Sequence, residues 1–287
     1  GALEFDIKNW KTVGLGSVQL DISTGLSTIQ WIGGQRFETF IHANKEEGWF
    51  RCTGFSAPAA CLKLLPPQYS NPRESSDANS VQGSDLARLG YPQSEALRQS
   101  GIWVFHQPGW GGFSYDIAVS TRQVNDNVWE GVWSISSHFP GKRSVNRAET
   151  TVKKALRRGF DKSFAASKEW WNTYWNKSSV SLPDSAIERQ YYLDMYKFGC
   201  VARENKPMIS LQAVWTADNG RLPPWKGDLH HDLNTQLSYW PAYTANHLSE
   251  GLSYLQHLER NDAAHRAYTQ RYFGTTGLNI PGVSTLQ

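Results

Sequence analysis

The chain has 287 residues, 39% of them hydrophobic and 19% charged, which is enough apolar material for one large core or two medium ones. Its 29 Lys and Arg against 26 Asp and Glu leave a net charge of +3, too even a balance to point to nucleic acid or an anionic membrane. No run of about 18 apolar residues is present, so no membrane span is expected.

The chain opens abruptly at GALEFDIKNW with no signal peptide, as expected of a mature or trimmed N-terminus. From there to residue 142 the texture is that of β-structure. SVQLDIS, LSTIQWI, QRFETFIHA, EGWFRCTGF, ACLKLLP, GIWVFHQ, FSYDIAVSTRQ and VWEGVWSISSH are short, alternating and rich in β-branched and aromatic residues. Gly, Asn, Asp and Pro punctuate them, so an antiparallel β-sandwich is expected over 1–142. Residues 68–100, rich in Ser, Asn and Pro, are expected to form a long excursion from the sheet. Cys52, Cys61 and Cys200 match no zinc spacing, and a Cys52–Cys61 bridge is open but not demanded.

The pattern turns helical near Arg143. Residues 143–180 carry a linker helix, with Ala155, Phe160, Phe164, Trp171 and Trp175 close together on a helical net. Lys153, Lys154, Arg157 and Arg158 form its solvated face. Residues 181–287 are expected to begin a helical domain. One helix starts behind Pro183 with Asp184 as N-cap, a second helical region is interrupted or begun by Pro241, and a third stops at Gly274. The fold class is therefore α+β and multidomain, a β-sandwich followed by α-helices.

The chemistry is concentrated in KGDLHHDLNTQLSYWP, residues 226–241. Asp228, His230, Asp232 and Asn234 alternate, so an extended segment would put all four on one face. Such a face can hold a water and take its proton, with Asp232 as base, Asn234 orienting and His230 donating to a substrate hydroxyl. Trp215, Trp225, Tyr239 and Trp240 lie near in sequence and would wall a sugar pocket, since pyranose C–H faces pack on indole. The plainer alternative is that Asp232 or Asn234 caps a helix beginning near Thr235 while the rings fill a core. His230 and His231 are adjacent, no His-x-x-x-His pair exists and no cysteine is near, so no metal and no cofactor are expected. The 13 Trp, 12 Tyr and 12 Phe suit either a large aromatic core or sugar platforms.

The order of these residues resembles glycoside hydrolase family 95, the inverting α-L-fucosidase family. Leu211, Gln212, Val214 and Trp215 fit its Leu-Gln-Gly-Ile-Trp stretch, and Pro223, Pro224 and Trp225 its Pro-Pro-Trp. His230, Asp232 and Asn234 fall on its His-x-Asn-x-Asn. Tyr239, Trp240, Pro241 and Ala242 fit its Asn-Tyr-Trp-Pro-Ala-Glu, with Asn246 and Glu250 following. The resemblance implies a β-sandwich ahead of an (α/α)6 barrel whose mouth holds the site, so residues 181–287 would be the start of that barrel and the barrel incomplete. It implies that His230, with Gln212, Asp228 and the rings, contacts the sugar, and that positions 232 and 234 hold the attacking water. A glutamic acid much further along would protonate the leaving oxygen, on the opposite side of the sugar from the base.

Three departures bear on specificity. Asp232 stands where the family has Asn, Tyr243 replaces the Glu after Trp-Pro-Ala, and Ser238 replaces Asn. Beyond these substitutions, the helices expected to carry the acid are not in the sequence, and Glu188, Glu250 and Glu259 are poor substitutes for it. The expected activity is hydrolysis of a terminal α-L-fucoside or α-L-galactoside on an oligosaccharide or polysaccharide, in a secreted or periplasmic setting. An inverting phosphorylase and a non-catalytic carbohydrate-binding module are the competing readings.

Overall fold

The computed structural model describes residues 2–5, 14–55, 62–65, 84–85, 90–139, 147–213, 221–222 and 224–284. It contains two compact units, one within residues 1–73 and 86–172 and one within 74–85 and 173–287.

The first unit is built on one eight-stranded antiparallel sheet. Its strands are β2 (Leu15–Asp21), β3 (Leu26–Trp31), β4 (Arg36–Ile41), β5 (Gly48–Thr53), β8 (Glu95–Gln99), β9 (Ile102–Pro108), β10 (Ser114–Asn125) and β11 (Val128–His138). They lie in the order β2-β3-β4-β5-β11-β10-β9-β8, and a separate two-stranded ribbon pairs β1 (Ala2–Phe5) with β6 (Leu62–Leu65). Period-two alternation sends side chains to opposite faces. Phe40, Trp49, Ile102, Ala118 and Val132 meet Ala148, Val152 and Ala155 of helix α1 (Ala148–Arg158) and Phe160, the first residue of α2 (Phe160–Trp175). On the other face Phe50, Cys52, Phe55 and Val119 pack against Leu62, Leu3 and Phe5 of the ribbon. The layers of the expected sandwich are thus a broad sheet, a helix on one side and a narrow ribbon on the other.

The helix-facing side also buries charge. Glu38, Glu47 and Glu130 are each only 3–4% exposed, and each is paired with an arginine. Arg51 bonds Glu38 at 2.8 Å and Asp161 at 2.7 Å while lying 4.1 Å over the Phe160 ring. Arg122 grips Glu130 through two nitrogens, at 2.8 and 3.1 Å. Arg158 reaches Glu47, which also accepts the Trp49 indole N–H at 3.1 Å. A buried carboxylate without such a partner would be strongly destabilising.

Two expectations change here. The single linker helix is two helices, α1 and α2, because Gly159 takes φ +85° and its backbone N–H closes on Ala155. The polar excursion at 68–100 contains strand β8, so Glu95–Gln99 extends the sheet; the excursion's residues 68–83 and 86–89 lie outside the described residues. Cys52 is buried in β5, and Cys61 lies outside the described residues.

The second unit is mainly helical. Helix α3 (Ser185–Val201) starts as expected, with Asp184 Oδ1 accepting the N–H groups of Ala186 and Ile187 at 2.9 and 3.3 Å. Helix α4 (Leu233–Thr244) runs through Pro241 and ends one turn later, α5 spans Leu248–Arg260 and α6 spans Asp262–Phe273. Gly274 stops α6 at φ +67°. Gly251 lets α5 approach α4 closely, since a Cβ there would lie 2.8 Å from that of Ala242. Two small ribbons complete the unit: β7 (Ser84–Asp85) with β12 (Arg221–Leu222), and β13 (Leu229–His230) with β14 (Val283–Ser284). No helix among the described residues is long and apolar enough to cross a membrane.

Candidate active site

The β13–β14 ribbon presents the polar cluster. Leu229 pairs with Ser284 and His230 with Val283, while Leu229 is buried and anchors the strand. His230 Nε2 lies 2.8 Å from Asp228 Oδ1, with side chains 13% and 24% exposed. This is ion-pair distance rather than a well-angled hydrogen bond, because neither atom has a hydrogen-bond partner among the described residues. Both atoms are shielded from solvent and face each other, so any substrate contact would fall to the other polar atoms of the two side chains.

Trp225 stands edge-on to the His230 ring, centroids 5.6 Å apart at 81°. It is 41% exposed and sits at φ +59°, in the left-handed region that a bulky residue rarely adopts. It belongs to a short 3-10 turn, Pro224–Gly227, and its carbonyl accepts the Asp228 N–H at 3.2 Å. The Asp228 carbonyl accepts the N–H of Leu211 at 3.0 Å, which brings the half-buried Gln212 turn alongside. Strained backbone held by its surroundings is typical of ligand-facing positions.

Asp232 and Asn234 are placed differently. The alternating face ends at His230, because residues 231–232 turn and α4 begins at Leu233. Asp232 is the exposed N-cap, its Oδ1 accepting the Asn234 N–H at 3.3 Å. Asn234 is exposed in the first turn, and its carbonyl accepts the Ser238 hydroxyl at 2.8 Å. The helix therefore starts two residues before Thr235, and the capping alternative describes the local geometry. Capping uses one oxygen of Asp232, and no partner for the other is found among the described residues.

The aromatic residues separate into two groups. Trp240 is 55% exposed on α4. Tyr239 is 4% exposed, and its hydroxyl accepts the Ile209 N–H at 2.8 Å and meets Ser253 Oγ at 2.8 Å. Its ring stacks on Tyr254 and meets Phe198 edge-on, so it belongs to the packed interior rather than to a pocket wall. Trp215 and Pro223 lie outside the described residues. Among the described residues no group of three His, Cys, Asp or Glu side chains is arranged to hold a metal ion.

Two features escaped the sequence. His231 turns away from its neighbour, bonding Ser284 Oγ through Nε2 at 2.6 Å and stacking on Tyr254 and His257. Burial lowers its basicity, aided by the charge of His265. Glu250 is 6% exposed, with both oxygens on Lys177 Nζ at 2.8 and 2.7 Å. Burial alone would push its carboxyl up; hydrogen bonds from His247 and Lys177 and the lysine charge outweigh that and hold it at about 2. The His247 nitrogen is 3.5 Å away, at the limit of hydrogen bonding, so Lys177 is the principal partner. A general acid must hold its proton near neutral pH, so Glu250 is unsuited to that role.

Residues 171–285 match the model of the glycosyl hydrolase family 95 catalytic domain, a carbohydrate-active enzyme domain, and this span contains the whole cluster around His230. No curated protein matches the chain in sequence. Among solved structures, one described as a kojibiose phosphorylase from the human microbiome superposes over 98% of the chain with a TM-score of 0.65 at 11% identity. That likeness shows a shared fold, an antiparallel β region followed by helices. The chain spans 39% of the length of that structure.

Proposed function

We propose that this chain carries the sugar-facing part of a glycoside-cleaving site, that the reaction is hydrolysis by single displacement with inversion, and that a terminal α-L-fucoside or α-L-galactoside-like sugar is the substrate. The observation that carries the reading is the Asp228–His230 pair beside strained, half-exposed Trp225, inside the span that matches a family 95 catalytic domain. In it, His230 and Asp228 bind sugar hydroxyls and Trp225 packs on the ring. Asp232 and Asn234, two and four residues further along the chain, position the attacking water, and Asp232 takes its proton. The leaving oxygen must be protonated from the opposite side, and Glu250, ionised beneath Lys177, is not the donor. The sugar chemistry fits a secreted or periplasmic setting.

The structural neighbour's description raises phosphorolysis as a second reading. The two carboxylates flanking His230 make poor surroundings for phosphate, which favours water as the nucleophile. The test is proton NMR of the protein mixed with α-L-fucosylated and α-L-galactosylated oligosaccharides, with and without inorganic phosphate. Release of a sugar of inverted anomeric form without phosphate supports the hydrolase. Release only with phosphate reverses the ranking. Saturation-transfer signals without release leave a carbohydrate-binding function, and no interaction with either sugar refutes the proposed specificity.

A further inference from the structure

Behind the ribbon lies a group of imidazoles that the proposed chemistry does not use. His231 of the turn before α4 stacks on His257 of α5, centroids 5.7 Å apart at 22°, and on Tyr254 at 6.0 Å and 26°. His265 of α6 is 6% exposed and close enough to act electrostatically on both. One ring nitrogen of each is buried without a hydrogen-bond partner among the described residues: Nδ1 of His231, Nε2 of His257 and Nδ1 of His265.

His231 is also what fastens the ribbon. Its backbone N–H donates to Gly282 at 2.9 Å and its Nε2 meets Ser284 Oγ at 2.6 Å. Ladder pairing contributes only two residue pairs, too few to hold a ribbon alone. The Thr235 hydroxyl ties the His230 carbonyl to α4, and the stack on Tyr254 and His257 ties the turn to α5.

We infer that the stacked His231 and His257 rings are a pH-sensitive clamp, holding the ribbon with Asp228 and His230 in place while both rings are neutral and releasing it when they are protonated. A proton on either ring would put a buried N–H against no acceptor and a cation beside another imidazole. The charged neighbours do not rescue this. Asp232 opposes the effect on His231, but His230 and His265 reinforce it. Around His257, burial, His231, Arg260 and His265 all disfavour the proton, which holds that ring at about 4. Near His265, Asp262 is exposed and engaged by Arg266 at 2.8 Å.

The inference rests on the preceding reading only in taking the ribbon as the sugar site. Its test is titration of the full chain, labelled with nitrogen-15 histidine and fluorotryptophan, with His231→Phe, His257→Phe, His265→Phe and Trp225→Phe used for assignment. The expected result is that the His231 and His257 rings stay neutral at about pH 6.5 and titrate below it, together with a shift of the Trp225 signal. His257→Phe, which keeps a ring and removes a proton site, should move that transition by about half a pH unit or more. Rings titrating like exposed histidines, or a Trp225 signal indifferent to their protonation, would overturn the clamp. A purely structural role would leave the midpoint unchanged in His257→Phe. The wild-type titration decides the matter even where a variant fails to fold. A sugar that perturbs nothing at neutral pH would refute the site reading while leaving the clamp standing.

Discussion

Removing the Glu250 carboxylate isolates a buried ion pair of the helical unit, the one it forms with Lys177. Glu250→Gln keeps the shape and the hydrogen-bond acceptor but abolishes the charge that Lys177 and Ser249 surround. The folded protein holds this carboxyl at about 2 against an ordinary value of 4.5. At about 1.4 kcal/mol for each tenfold change in proton affinity, that gap corresponds to ~3 kcal/mol. Because the folded value lies below the unfolded one, the contribution is fully present above about pH 4.5 and drains away as pH falls towards 2. Lys177 is 23% exposed and can turn partly to water when its partner is neutralised, so a loss of about 2–3 kcal/mol near neutral pH is expected. Urea unfolding followed by far-UV circular dichroism measures it, since most of the helical signal comes from the unit that holds the pair. The same comparison at about pH 3 should show a smaller gap between variant and wild type, since the wild-type carboxylate has by then lost much of its advantage. A variant within about 0.5 kcal/mol of wild type near neutral pH, or a gap that ignores pH, would refute the reasoning.

Asp232→Ala should lower stability by about 1 kcal/mol through loss of the α4 cap, whereas Asp232→Asn, an equally good cap, should change it by less than about 0.5 kcal/mol in the same urea experiment. On the proposed chemistry Asp232→Asn loses most turnover yet binds sugar nearly as tightly, which NMR titration checks. Asp184→Ala should cost about 1 kcal/mol because two α3 backbone N–H groups lose their acceptor. Gly131→Ala should cost about 2 kcal/mol or more, because its Cβ would sit 1.9 Å from the Phe50 ring on the paired strand; Phe50→Leu in the same chain should recover part of the loss in thermal unfolding.

Much of the fold was legible because its elements are locally consistent. Alternation in EGWFRCTGF assigns Trp49 and Arg51 to one face and Phe50 and Cys52 to the other, and Asp184 and Gly274 bound their helices as their chemistry dictates. Strand β8 was hidden because Glu-Ala-Leu-Arg-Gln is a run of helix formers that pairing with β9 overrides. The break between α1 and α2 was signalled by two arginines and Gly159, but apolar periodicity on both sides masked it. In the site, the Asp228–His230 pair follows from spacing of two on an extended segment. The shared face for Asp232 and Asn234 did not materialise, because an aspartate ahead of a helix-forming run caps it. The clamp was invisible because His257 reaches His231 from a separate helix, a proximity that no local spacing encodes.

The substitution at position 232 gains its meaning from that cap. Asparagine and aspartate end a helix about equally well, so either residue there preserves α4 and the turn that carries His230 and His231. They differ in what the second side-chain atom offers. In Asp232, Oδ1 is occupied by the Asn234 N–H and the remaining oxygen can both orient a water and accept its proton. In asparagine the corresponding group is an amide N–H, which can orient a water but cannot deprotonate it. An exchange of one for the other is therefore nearly silent for the fold, and on the proposed chemistry it removes the base. Activity surviving in Asp232→Asn would move the base elsewhere, while its loss without loss of stability would put the base on the helix cap itself.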